Sequence, residues 1–222
     1  MPILYPELKT TADGSSTLFV EEFDEHYHSV HGAVQESMHV FINAGLVEKA
    51  KSKNNIAILE MGFGTGLNAL LTIDFAMQNN TKVDYHTIEK FPIEENVYTQ
   101  LYNSDNNYKH SSFFEMHQAK HEQTLHINNN FTFKKYITDI HQFQTTNKFD
   151  IIYYDAFAPS AQADLWTVEI FEKIFAILND DGFLVTYCAK GSVKRNLKTA
   201  GFNVIALHGP KGKREMTKAI KL

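Results

Sequence analysis

The chain has 222 residues, 43% hydrophobic and 21% charged, the balance of a soluble globular domain, which excludes disordered and fibrous classes. That length buries about two-thirds of the unfolded surface without disulfide help. Its single cysteine, Cys188, excludes an internal disulfide and a cysteine-built zinc site. Net charge is −5, which by itself argues against nucleic acid, yet residues 190–222 hold nine Lys and Arg against one acid, Glu215. That +8 leaves −13 on the first 189 residues and points to an anionic partner at the C-terminal end. A solvated helix face with a basic tail would explain the same charges.

The first six residues lack the basic leader and apolar core of a secretion signal, and no apolar run reaches the ~20 residues that span a bilayer. A soluble, cytoplasmic protein with no membrane partner is expected. Thr17–Phe23 reads as a strand and Val34–Ala50 as a helix bearing Val34, Met38, Phe41, Ile42 and Leu46. With the polar, aromatic stretch between them they form an N-terminal cap (residues 1–50) on a core of residues 51–222, the whole taken as one domain. Ile56–Met61 and Val83–Ile88 read as strands flanking a helix at Leu67–Met77, with Pro92 placed to open the next helix. Residues 93–130 hold a helix and then a polar loop ending in the turn Asn128-Asn129-Asn130. Thr132–Ile137, Phe149–Tyr154 and Phe183–Cys188 are further strands, with helices at Leu165–Leu178 and Ser192–Ala200, the latter closed by Gly201. Phe202–Leu207 and Met216–Ile220 lie too close for a helical crossover and pair as an antiparallel hairpin. The fold class expected is α/β: a Rossmann-like, mostly parallel seven-stranded sheet, with that hairpin at its edge and the N-terminal segment as a cap.

Glu60-Met61-Gly62-Phe63-Gly64-Thr65-Gly66-Leu67-Asn68 runs from a buried strand through three alternating glycines into a helix. Glycine allows the sharp turn and the close approach of a ligand to backbone. A dinucleotide fingerprint requires glycine where Leu67 stands, and a phosphate-binding P-loop requires a lysine that is missing. Glu60 at the strand end disfavours a pyrophosphate and suits an ammonium. S-adenosylmethionine carries an ammonium, a sulfonium, a ribose diol and an adenine, and the chain has an acid after each successive strand. Glu60 is assigned to the ammonium, Glu89 to the ribose hydroxyls, Asp139 to the adenine amino group and Asp155 to the reaction centre, with Gly62, Gly64 and Gly66 cradling the ligand. The reading is a Rossmann-like, S-adenosylmethionine-dependent methyltransferase.

Tyr153-Tyr154-Asp155-Ala156-Phe157-Ala158-Pro159, with Asp164-Leu165-Trp166 downstream, is the second informative stretch. Methyl transfer to an amine needs positioning and an unprotonated lone pair, and Asp155 suits both needs. Trp166 reads as helix-face packing.

These two stretches, with Phe23-Asp24-Glu25-His26-Tyr27-His28-Ser29, Gly32, Glu36, Lys194-Arg195 and Gly212-Lys213-Arg214-Glu215-Met216, carry a resemblance across residues 17–220. The chain is similar to the methyltransferase part of the bacterial bifunctional tRNA 5-methylaminomethyl-2-thiouridine biosynthesis proteins, the MnmC family, in a stand-alone form without the oxidase part. Ala163 stands where the family usually has proline, and Ala156 where glycine is common. The resemblance implies a tRNA partner, N-methylation of the aminomethyl group on its wobble uridine, and a functional link to the upstream complex that builds that group. Lys194, Arg195, Lys213 and Arg214 then meet phosphates, and Tyr27 and Phe157 stack on or wall the flipped base. Packing explains Tyr27 and Phe157 equally well. The histidines have no metal-ligand spacing, so no metal is expected. Two other readings remain: transfer to a small-molecule amine by a methyltransferase or aminopropyltransferase-like enzyme, and a non-catalytic S-adenosylmethionine or RNA-binding module. The first calls for more carboxylates near Asp155 and no basic flank.

Overall fold

The computed structural model describes residues 6–222; the leader reading for residues 1–5 lies outside that range. Strands β1 (Glu7–Thr10), β2 (Ser16–Val20) and β3 (Glu25–His26) form a small antiparallel sheet. A continuous helix over 33–50 follows, α-helical at α1 (Ala33–Ser37), π-helical through Met38–Val47 and α-helical again at α2 (Glu48–Ala50). Gly45 lets this helix lie close on the central sheet, where a Cβ would stand 3.1 Å from the Tyr153 ring.

The central sheet has β4 (Asn55–Met61), β5 (Lys82–Glu89), β6 (Thr124–Asn128), β7 (Phe131–Ile137), β8 (Phe149–Tyr154), β9 (Leu178–Thr186), β10 (Asn203–His208) and β11 (Glu215–Ile220). Their order is β10-β11-β9-β8-β4-β5-β7-β6. The five inner strands from β9 to β7 run parallel, and the β10–β11 hairpin pairs antiparallel as expected. Eight strands replace the expected seven. The addition is β6, antiparallel to β7 across the three-asparagine turn. Thr124-Leu125-His126-Ile127-Asn128 does alternate polar and apolar, with Leu125 buried and Ile127 partly buried against the first cluster, but the run is only five residues long inside a polar stretch and reads as loop.

Helices α3 (Leu67–Asn79), α4 (Glu95–Ser104) and α5 (Phe113–Gln118) join the 33–50 helix in contributing to one apolar cluster, and α6 (Val168–Ile177) and α7 (Gly191–Thr199) contribute to the other. Strand alternation sorts the side chains: Ile58, Tyr85, Phe133 and Tyr153 join the first cluster, and Leu59, Ile152, Tyr154 and Leu184 the second. Pro92 does not open a helix. Residues 92–94 continue outside regular structure, and α4 begins at Glu95 behind an extended Glu94. Because β4 pairs with β5 on one side and β8 on the other, the chain reverses its direction of travel at β4. That reversal opens a crevice at the strands' carboxyl ends, where open α/β sheets bind ligands.

Candidate active site

A cavity of about 490 Å³ fills this crevice, roofed by residues 24–31 of the cap. The tips are locked to one another: the Gly62 N–H donates to the Ile88 carbonyl at 2.9 Å and the Asp155 N–H to the Met61 carbonyl at 3.1 Å. Gly62 (φ +90°) leaves no room for a side chain, since a Cβ would stand 2.9 Å from the Asp155 carbonyl oxygen. At Gly64 (φ +50°) a Cβ would meet the Tyr27 ring at 2.8 Å. Gly66 does not border the cavity; it precedes the first residue of α3 and packs under Phe63.

Glu89 lines the cavity with its carboxylate fixed from behind, accepting from the Gly64 N–H at 3.0 Å and the Phe91 N–H at 2.7 Å. Its remaining lone pairs suit a vicinal diol. Asp139 also lines the cavity. Partial burial would raise its carboxyl, but hydrogen bonds from Lys90 at 2.7 Å and from the His141 backbone and ring hold it well below the usual range.

Glu60 departs from its assignment to the ligand's ammonium. It is fully buried on the α3 side of β4, among Ile56 and Ile58, and does not border the cavity. Burial, with the nearby charge of Asp155, pushes its carboxyl well up. Asn68, in the first turn of α3, is the intermediary, its Nδ2 donating to Glu60 Oε1 at 3.1 Å and to Asp155 Oδ2 at 2.8 Å. Asp155 borders the cavity, and burial pushes its carboxyl up to about 7, against the Asn68 hydrogen bond; Glu36 raises it further and Lys213 lowers it. A carboxylate at that value takes a proton readily near neutrality.

The cap is bolted to the glycine turn through Thr65. His28 contacts its Oγ1 at 3.3 Å and Thr17 at 3.3 Å, and the Tyr108 hydroxyl donates to it at 3.2 Å. Burial holds His28 down at about 4, so the ring is neutral at pH 7 and shares hydrogen bonds with two hydroxyls. Tyr27 meets Phe157 edge-on, ring centroids 5.1 Å apart, and both line the cavity. Trp166 is buried as read, and its indole N–H also donates to the Phe157 carbonyl at 2.9 Å, fixing that loop.

The basic residues divide. Lys213 turns into the cavity, 2.6 Å from Glu36 and over the Tyr187 ring, and Lys194 pairs with Glu215 at 2.7 Å. Arg195 and Arg214 are exposed. Asn68 and Glu36 had no assigned role from the sequence. Asn68 was legible, since the first helical turn after a glycine loop faces the strand tips. Glu36 lies 177 positions from Lys213, with no local signal.

The parallel sheet, the glycine turn and an acid lining the cavity at the next strand tip are those of a Rossmann-like, S-adenosylmethionine-dependent methyltransferase. Residues 103–222 match the family described as S-adenosyl-L-methionine-dependent methyltransferase, and the chain belongs to that family. It is 29% identical over 242 residues to the tRNA 5-methylaminomethyl-2-thiouridine biosynthesis bifunctional protein MnmC of Pseudoalteromonas atlantica, covering 99% of this chain and 34% of that protein. The protein of the same name from Idiomarina loihiensis is 30% identical, over 87% of this chain and 35% of its own. The chain thus spans about a third of the length of these relatives. The crystal structure of MnmC2 from Aquifex aeolicus superposes with a TM-score of 0.77 at 28% identity, covering 97% of this chain and 70% of that one. The resemblance to the methyltransferase part of these proteins, read from the sequence, is borne out. Among the described residues no helix is long and apolar enough to cross a membrane, and no group of three or more His, Cys, Asp or Glu is placed to hold a metal.

Proposed function

We propose that the chain N-methylates the aminomethyl group of the wobble 5-aminomethyl-(2-thio)uridine of tRNA, giving the 5-methylaminomethyl nucleoside. The observation that carries this reading is Asp155, held by Asn68 at the junction between the glycine turn and the aromatic pair Tyr27–Phe157. S-adenosylmethionine supplies an electrophilic methyl group on a sulfonium. Glu89 would hold its ribose, Asp139 its adenine amino group, and Gly62 and Gly64 the close backbone approach.

An aminomethyl group is mostly protonated at neutral pH and has no lone pair to offer. Asp155 takes that proton, leaving the nitrogen neutral in an in-line position, and Tyr27 and Phe157 wall the flipped base. Exposed Arg195 and Arg214, with Lys194 at their flank, supply phosphate contacts. The names of the relatives support tRNA as partner and, with it, a cytoplasmic setting. The amine must come from an upstream tRNA-modifying activity. The basic flank favours this reading over a small-molecule amine, for which an acidic pocket is expected.

The test is incubation of the purified chain with labelled S-adenosylmethionine and tRNA lacking the final methyl group, followed by nucleoside mass analysis. The expected result is a 14-dalton gain on the aminomethyl nucleoside alone. Label on free polyamines but not on tRNA would overturn the proposal.

A further inference from the structure

Lys213 and Glu36 come from opposite ends of the chain and meet inside the cavity. The Lys213 ammonium lies 2.6 Å from Glu36 Oε1 and 4.1 Å from the centroid of the Tyr187 ring. Glu36 is fixed from behind by the Ser29 N–H at 2.9 Å, and Tyr187 by donating to the Ala156 carbonyl at 2.8 Å. The loop that carries Lys213 is itself seated, since a Cβ on Gly212 would collide with His31 at 2.5 Å. Both charged groups line the same cavity as Asp155, and both act on its carboxyl. The site therefore presents three groups together: an acid for the amine, a preorganised donor and a preorganised acceptor.

A 5-substituted uracil presents a matching series around its ring. The C5 substituent is followed by the C4 carbonyl oxygen, an acceptor, and then by N3–H, a donor. Cytosine carries an amino donor at C4 and an acceptor at N3, the reverse at both positions. We infer that the Glu36–Lys213 pair reads the Watson–Crick edge of the target base, Lys213 donating to the C4 oxygen and Glu36 accepting from N3–H, so that uridine is taken and cytidine refused. This rests on the function proposed above and adds the residues that set base identity. The contacts leave position 2 unread, so oxygen and sulfur there are treated alike.

Two anticodon stem-loop RNAs test it, identical except for 5-aminomethyluridine or 5-aminomethylcytidine at the target, assayed for kcat/KM with the full chain. The unaltered protein should favour the uridine RNA by about 10- to 100-fold, the discrimination of one good bidentate contact. Glu36→Gln and Lys213→Met should bring that ratio close to one, chiefly by losing the uridine RNA, with S-adenosylmethionine affinity by calorimetry unchanged. Lys213→Arg, which keeps a cationic donor and tests the case in which Lys213→Met misfolds, should retain the preference. A pair that merely fastens the hairpin loop to the cap would lower both substrates equally and leave the ratio intact, overturning the inference. So would an unaltered protein with no base preference. Failure of the unaltered protein to methylate either RNA overturns the proposed function, and is seen before any substitution is made.

Discussion

Asp155 should make the folded protein less stable as pH rises, and Asp155→Asn should remove that cost. Its carboxyl moves from an ordinary 3.8 to about 7 in the folded protein, chiefly through burial. Between those values the native state binds the proton and the unfolded chain does not, so stability is greatest in acid and falls as pH climbs from about 4 to 7. The roughly three pH units are worth at most ~4 kcal/mol at ~1.4 kcal/mol each. Asp155 lines the cavity and is only partly buried, and screening there reduces the expected cost to ~1–3 kcal/mol. Asparagine is isosteric and carries no such penalty. For a domain of this size ~1 kcal/mol moves Tm by about 2–4 °C, so Asp155→Asn should melt roughly 3–10 °C above the unaltered protein at pH 8 and nearly level with it at pH 4. Thermal denaturation followed by circular dichroism at the two pH values is the assay. A Tm difference that is the same at both, or a variant less stable at pH 8, would refute the reasoning.

Glu89→Gln loses the charge that the Gly64 and Phe91 N–H groups orient, and should weaken S-adenosylmethionine binding by about 10- to 100-fold in calorimetry, in line with the ~1.5–3 kcal/mol of a charged hydrogen bond. Gly64→Ala puts a methyl against the Tyr27 ring and a side chain at φ +50°; it should lower Tm by several degrees and weaken S-adenosylmethionine about tenfold or more. Arg195→Ala with Arg214→Ala should weaken tRNA binding and flatten its dependence on log salt by about one for each phosphate no longer neutralised, with S-adenosylmethionine affinity unchanged. Equal weakening of both ligands would remove these arginines from the RNA surface.

The inner sheet was legible because β4 and β8 are short, largely apolar runs buried along most of their length, and β5 sets Val83, Tyr85 and Ile88 among polar residues between helical stretches. The glycine turn was legible for a local reason, as were the cavity positions of Glu89 and Asp155, each an acid at the carboxyl end of a strand. Glu60 was assigned to the wrong side of the wall, although the alternation of β4 held the answer: Ile56, Ile58 and Glu60 share a parity, so Glu60 shares their apolar face. Sequence position cannot show which lysine of the Gly-Lys-Arg loop turns inward. Lys213 does so because Glu36 and the Tyr187 ring meet it there, an arrangement created only when the hairpin closes on the cap. Charge counting therefore overstated the positive surface offered to RNA, since Lys194 and Lys213 are each paired with a glutamate.

The claim on which the chemistry rests is that Asp155 removes a proton from the attacking amine. The pH dependence of kcat/KM for methyl transfer to tRNA bearing aminomethyluridine tests it most directly, because that parameter reports ionisations of the free enzyme and free substrate. The unaltered protein should gain rate with rising pH up to about 7 and then level off. Asp155→Asn should be slower throughout and continue to gain rate until the amine itself loses its proton. Superimposable profiles for the two proteins, differing by nothing more than a constant factor, would contradict the account.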